Sequence, residues 1–393
     1  MVARPAAAPL PSLLMLSAAV FLAVTTELLP LGLLVAMSRD LSTSPARIGL
    51  LVTGYAVMVA VLGAPVGVLT ARLPRRPLLI TALLAYAISN AMMVVATGYA
   101  LAFAARLLGG LTHGLFWAVA GGYAARLVAP ERVGWAVAVV SSGGALAVLV
   151  GIPAGTAAGV SLGWRTAFAA LTLVCLLTAA LASLVLAPVP AAGAPGRTAL
   201  RDVLQRPGFA IIVGTTAATM SGAYALITYT APLVINAGVP ESYIAVVLLG
   251  SAMAGGAMLP VAAWAADRRP RLGIVAGGLL ITLAPLVYLL RPHSTPAAVA
   301  AMAMGGMAMG LLPTLTQTAT LRAAPDHTEQ ASGINASAFN SGVAAGALVG
   351  AFTWETWGLT AVPVAGAVLA GAGLLIYLVG TGPAARVRSR SRR

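Results

Sequence analysis

The sequence predicts an all-α membrane protein, with twelve transmembrane helices arranged as two pseudo-symmetric six-helix bundles. Three observations carry that expectation: an apolar composition, twelve apolar runs long enough to cross a bilayer, and charged loops that recur at half the chain's length. Of 393 residues, 60% are hydrophobic and only 8% charged, whereas an ordinary soluble domain carries about 25% charged residues. Mean hydropathy is +0.97.

A spanning helix needs about 20 consecutive, mostly apolar residues. Residues 12–37, 47–70, 78–97, 99–127, 134–160, 165–187, 208–235, 243–265, 272–290, 297–320, 331–354 and 359–379 meet that condition in turn. The first run is too long for a cleavable signal peptide, carries a charge, and is followed by further spans. One gap is long: 188–207, "PVPAAGAPGRTALRDVLQRP", rich in Pro, Gly and Ala with three arginines. It is expected to be a cytoplasmic linker between an N-terminal bundle, 1–187, and a C-terminal bundle with a basic tail, 208–393. "ARLPRRP" at Ala71 and "DRRPRLG" at Asp267 match at an offset of 196, which sets Arg72 on Arg268, Pro74 on Pro270 and Arg75 on Arg271. An offset of 195 sets Gly151 on Gly346 and Gly155 on Gly350. Duplicated halves imply a substrate site near the midplane between them.

Every basic residue is Arg. With the N-terminus inside, eighteen of the 23 arginines fall on the cytoplasmic side. Arg39, Arg47, Arg165 and Arg291 stay outside, and Arg106 lies within a span. That bias predicts a cytoplasmic (inner) membrane protein with both termini in the cytoplasm. The same placement, in short loops between apolar runs, argues against nucleic acid as a partner despite a net charge of +14. Cys175 is the only cysteine, so no intramolecular disulfide is possible and no metal cluster is suggested. No HExxH or Walker A pattern is present, and the single GxSxG match, Gly159 to Gly163, falls at the end of an apolar span rather than on a strand-to-helix turn. An enzyme is therefore not expected, nor a cofactor or metal, nor ATP-driven transport. A membrane enzyme would need a reactive constellation, and a sensor would need an output domain, which the tail after Gly380 is too short to supply.

The intramembrane polar residues carry the functional expectation. In span 1, "AVTTELLPLGLL" places Glu27 mid-membrane, at a cost of roughly 2.5–3.5 kcal/mol on insertion scales. Span 4, "RLLGGLTHGLFWAVAGG", places Arg106, Gly110, His113 and Trp117 on one helix face. Counting residues from the outer ends sets Glu27 at a depth between Arg106 and His113, so these basic residues are expected to share its layer. A Glu27–Arg106 pair also reads as a structural clamp, and a buried His113 as a core histidine. Span 5, "SSGGALAVLVGIPAGTAAG", is dense in Gly and Pro, which suits either a flexing helix or close packing. Tyr224, Thr228 and Tyr229 in span 7, Gln317 in span 10, and Asn335 and Asn340 in span 11 can bind a polar substrate or neighbouring helices. Trp117 and Tyr224 suit an apolar ring, Gln317 and Asn340 hydroxyl groups, so sugar and drug-like substrates both stay open.

Several segments together carry a resemblance: "TTELLPLGLL", "RLLGGLTHGLFWAV", "GIPAGTAAGVSLGWRTAF", "TYTAP" and "APDHTEQASGINASAFNSGVAAGALVG". Through them nearly the whole chain resembles the major facilitator superfamily. Within it, the likeness is to twelve-span drug:proton antiporters of the branch holding bacterial arabinose-type sugar efflux transporters and chloramphenicol exporters. The resemblance implies export of a small molecule in exchange for protons, by a monomer whose partners are substrate, protons and the lipid bilayer. It implies proton coupling through Glu27, with Arg106 and His113 from the span-4 motif. Gly151, Pro153 and Gly155 match the glycine–proline motif of span 5, and Phe339 and Asn340 a span-11 motif. The superfamily has an Asp in loop 2–3 where this chain has Ala71, while Asp267 stands in loop 8–9. Gating is therefore expected to rest on Asp267 and Arg268 with the span-5 glycines.

Overall fold

The computed structural model describes residues 9–70, 72–129, 132–189, 202–206 and 208–381. Most of the expected linker, the loop position Ala71, and the arginines of both termini lie outside the described residues.

Among the described residues, twelve helices are long and apolar enough to cross a membrane. A bilayer interior offers no water to backbone N–H and C=O groups, so a spanning chain must satisfy them within itself. The first four spans are α1 (Pro9–Asp40), α2 (Pro45–Thr70), α3 (Arg75–Val94) and α4 (Tyr99–Arg126). Span 5 is broken into α5 (Val133–Leu146), a π segment (Ala147–Gly151) and α6 (Ile152–Leu162). Pro153 is the second residue after the π segment and brings no backbone N–H, so the ladder cannot continue in α register through it. Span 6 is α7 (Trp164–Val185). Span 7 is also divided, into α8 (Phe209–Ile227) and α9 (Thr230–Asn236). The remaining spans are α10 (Ile244–Arg268), α11 (Pro270–Leu290), α12 (Thr295–Ala323), α13 (Thr328–Trp357) and α14 (Ala361–Gly380). No strand occurs among the described residues.

The internal repeat reappears in how the helices meet. A Cβ on Gly110 of α4 would collide with the Tyr55 carbonyl of α2, and one on Gly306 of α12 with the Ser251 carbonyl of α10. Each member of the second pair lies 196 residues after its counterpart. Likewise Gly151 packs on Thr25 of α1, and Gly346 on Ser221 of α8. Two tight junctions echo one another as well: Gly163 before α7 and Gly358 before α14 have φ of 93° and 87°, a region where L side chains are strained. The small residues let backbones approach closely where burial of apolar surface cannot drive association.

The first six spans meet the last six along α2–α13, α1–α9, and α6 with the π segment against α10. At the end away from the termini, Arg39 is paired with Glu241 at 2.8 Å and Ser44 donates to Glu355 at 2.9 Å. Both contacts join the two sets of spans. At the terminal end the described ion pairs stay within the last six spans and the segment leading into them: Arg322–Asp267 and Arg206–Asp326, each at 3.1 Å, and His327–Asp202 at 4.0 Å.

Candidate functional site

Pro30 lies inside α1. A helix proline brings no N–H to the carbonyl four residues earlier, so the Thr26 carbonyl loses its usual donor one residue from Glu27. Arg106, 1% exposed, supplies it. Its guanidinium donates through Nη1 to the Thr26 carbonyl and through Nη2 to the Glu27 carbonyl, both at 2.7 Å. It also stacks over the Tyr55 ring, 4.2 Å from the centroid. The expected Arg106 contact with the Glu27 carboxylate is thus replaced by contacts with the backbone on either side of it.

The Glu27 carboxyl faces His113 instead, with Oε2 3.5 Å from Nε2. Two phenols hold the other ring nitrogen: the Tyr55 and Tyr86 hydroxyls lie 2.8 and 2.9 Å from Nδ1. Trp117, one turn along α4, donates its indole N–H to Nε2 at 2.6 Å. Indole nitrogen is a donor only, so Nε2 is the acceptor. The ring is assigned as the Nδ1–H tautomer, with that proton directed at the phenol oxygens. Behind the cluster, Asn90 donates to Thr26 Oγ1 at 3.1 Å, and its own Oδ1 has no partner. The close α2–α4 crossing at Gly110 is what brings Tyr55 within reach of His113.

A cavity of about 430 Å³, whose wall includes Leu28, the chain neighbour of Glu27, but none of the cluster's own side chains, is bounded by α1, α5, the π segment, α6, α8, α9, α10 and α12. That is within the common size range of small-molecule sites. Leu28, next to Glu27, lines it with Leu31, Val148, Ile152, Met302 and Met309. Its polar side chains are Tyr224, Thr230 and Ser251. The Ser251 hydroxyl donates to the Met302 carbonyl. Irregular backbone at membrane depth is tolerated where it lines a cavity or is buried in protein. Both helix breaks fit: Val148 and Leu149 of the π segment, and Thr230 just after the α8–α9 break, are wall residues.

Other residues singled out from the sequence are placed elsewhere. Asn335 donates to Gln317 at 2.8 Å, Gln317 to Ser332 at 2.7 Å, and Thr216 to Asn335 at 2.9 Å. These bonds tie α8, α12 and α13 together. Tyr229 donates to the Ala347 carbonyl at 2.8 Å, and Asn340 to the carbonyl of Ala336 on its own helix. Among the substrate candidates only Tyr224 is a wall residue of this cavity. Gly151 and Gly155 seat span 5 on Thr25 and Leu29 of α1. Asp267 accepts from Arg322, and Arg268 is exposed at the end of α10.

The 196-residue offset sets Glu27, Tyr55, Arg106, His113 and Trp117 on Ala223, Ser251, Met302, Met309 and Pro313. The places that build a polar cluster in the first six spans are thus largely apolar in the last six, and Ser251, Met302 and Met309 are cavity wall.

The chain is similar along most of its length to known proteins. The sequence profile of the Major Facilitator Superfamily matches residues 15–347 and, in a second match, 236–393. Two proteins of Mycobacterium tuberculosis, from strains CDC 1551 / Oshkosh and ATCC 25618 / H37Rv, are each named a chloramphenicol efflux pump. Each is 32% identical over 352 residues, covering 86% of this chain and 85% of the relative. Among solved structures, a bacterial homolog of the human lysosomal transporter Spinster, inward-facing and unoccupied, superposes with a TM-score of 0.78 at 15% identity, covering 96% of this chain and 98% of that one. Its occupied form gives 0.77 at 15% identity, covering 97% and 98%. At that identity the likeness is one of fold. The chain is a multi-pass membrane transporter that belongs to the Major Facilitator Superfamily.

Proposed function

We propose that this transporter is a proton-coupled antiporter that exports apolar or amphiphilic small molecules across the cytoplasmic membrane. The observation that carries the reading is the juxtaposition of a mid-membrane carboxyl–imidazole pair, Glu27 and His113, with a cavity whose wall is mostly aliphatic. Intramembrane ionisable residues are costly and mark ion pathways, and the pair has no counterpart at the equivalent places in the last six spans. Glu27 and His113 carry the proton, with Arg106 fixing the backbone that presents Glu27. Tyr224, Met302 and Met309 contact substrate.

The arginine bias favours both termini in the cytoplasm. In that orientation the Arg39–Glu241 and Ser44–Glu355 contacts close the outer end, and the conformation is inward-facing. Transport is then a rocking of two six-span halves, acting as one monomer, about the central cavity. Gly151, Pro153 and Gly155 supply the pivot on α1, and Asp267 with Arg268 the inner gate. The name shared by the Mycobacterium relatives points to chloramphenicol as the first substrate to try. A sugar fits less well, because sugar hydroxyls need many polar partners and the cavity offers few.

The test is uptake into inverted membrane vesicles of chloramphenicol and of arabinose, each with and without an uncoupler. Chloramphenicol accumulation that the uncoupler abolishes is expected. Accumulation indifferent to the uncoupler would remove proton coupling, and uptake of arabinose alone would reverse the substrate assignment.

A further inference from the structure

Two groups contend for one atom in the polar cluster. The in-plane lone pair of His113 Nε2 holds the Trp117 indole N–H at 2.6 Å, while the Glu27 carboxyl waits at 3.5 Å, beyond ordinary hydrogen-bond length. An imidazole nitrogen has one such lone pair. While the indole occupies it, Glu27 cannot pass a proton to it. The two ends of the cluster also differ in freedom. His113, Tyr55, Tyr86 and Arg106 are all buried, whereas Trp117 is 45% exposed and can leave without opening the packing around the ring. Its flank rests on Phe116, with ring centroids 5.5 Å apart.

We propose that Trp117 is a positioning residue that interlocks proton transfer, holding His113 Nε2 closed until the indole is displaced. This inference rests on the proton-coupled reading above. With the indole seated, His113 is a neutral acceptor and the proton stays on Glu27. When the indole swings out, the Glu27 carboxyl closes the gap. Its O–H bond breaks, an N–H bond forms at Nε2, and the pair becomes carboxylate and imidazolium with no change in net charge. The imidazolium has donors at both nitrogens, so the indole N–H no longer has an acceptor there and the lock cannot re-form until the proton leaves.

Among the described residues, four side chains bond or face the ring. Glu27 comes from α1, Tyr55 from α2, Tyr86 from α3, and Trp117 from α4 itself. Arg106, also on α4, is turned to the α1 carbonyls and the Tyr55 ring. Trp117 is thus the one partner that is both bonded to the ring and half in the open.

Proton leak into proteoliposomes without substrate reads the lock directly. Trp117→Phe keeps the bulk but removes the N–H, and its leak is expected to rise roughly tenfold, the worth of one hydrogen bond. A Trp117→Phe protein that melts like wild type and is equally proton-tight would overturn the proposal. A second measurement needs no change at Trp117: fluorine NMR of wild type and His113→Gln labelled with 5-fluorotryptophan. One of the six tryptophan resonances should move as the pH is lowered far enough to protonate His113 and release the indole, and stay still in His113→Gln. No moving resonance, or one that moves equally in both proteins, contradicts the interlock. That outcome leaves proton coupling standing, because uncoupler sensitivity is measured separately.

Discussion

Arg106 donates to the backbone carbonyl of Thr26 at 2.7 Å, the carbonyl that Pro30 leaves without its helical donor. The arginine repairs a helix, and the repair sits beside the carboxyl that the protein keeps at mid-membrane.

Arg106→Ala should therefore destabilise the protein by roughly 1–3 kcal/mol, the cost of a buried carbonyl left unbonded. The damage should be relieved by a second change on α1. Pro30→Ala restores an N–H to the Thr26 carbonyl, so the double variant should melt closer to wild type in detergent than Arg106→Ala alone. Neutralising Glu27 in place of Pro30 should give less relief, because the guanidinium does not touch its carboxylate. Equal rescue by Glu27→Gln and none by Pro30→Ala would reverse this assignment.

Gly110→Ala should cost about 1–3 kcal/mol by overpacking, because the new methyl meets the Tyr55 carbonyl, which is backbone and cannot turn aside. It should also weaken proton-driven transport, since spreading α2 from α4 draws Tyr55 away from His113. Gly256→Ala, where a Cβ meets open space, is the control in thermal unfolding. Equal melting temperatures for the two variants would show that the crossing tolerates the methyl.

Tyr224→Ala should change the rank order of exported compounds, and Asn340→Ala should not. Tyr224 is cavity wall and stacks edge-on with Phe339 at 6.2 Å, whereas the Asn340 amide is spent on its own helix. Resistance profiles across compounds of different size in cells expressing each variant provide the readout. A profile altered by Asn340→Ala and kept by Tyr224→Ala would place the substrate nearer α13.

The spans and the bundle were written in the sequence as run length and charge placement, because a bilayer leaves a chain little choice but helices. The layer shared by Glu27, Arg106 and His113 followed from counting residues along two helices. What each side chain touches did not. Pro30 stands four residues after Thr26 in plain view, but only packing reveals that Arg106 fills the gap. Tyr55 and Tyr86 gave no signal, since a tyrosine in an apolar run is an ordinary core residue until its hydroxyl finds a partner. Gln317 and Asn335 read equally as substrate contacts or helix ties, and their partners turned out to be each other, Ser332 and Thr216. The bends in spans 5 and 7 each had a proline in view: Pro153 at the first, and at the second Pro232, which leaves the Thr228 carbonyl without its helical donor.

The central claim is that Glu27 couples protons to export, and the measurement that tests it most directly is Glu27→Gln in proteoliposomes assayed in two modes. Removing a charge that is costly in the bilayer should leave insertion and folding intact. Substrate counterflow, which needs no proton movement, should persist, while accumulation driven by an imposed pH gradient should fall to the uncoupled level. Gradient-driven accumulation at the wild-type rate in Glu27→Gln would contradict the account.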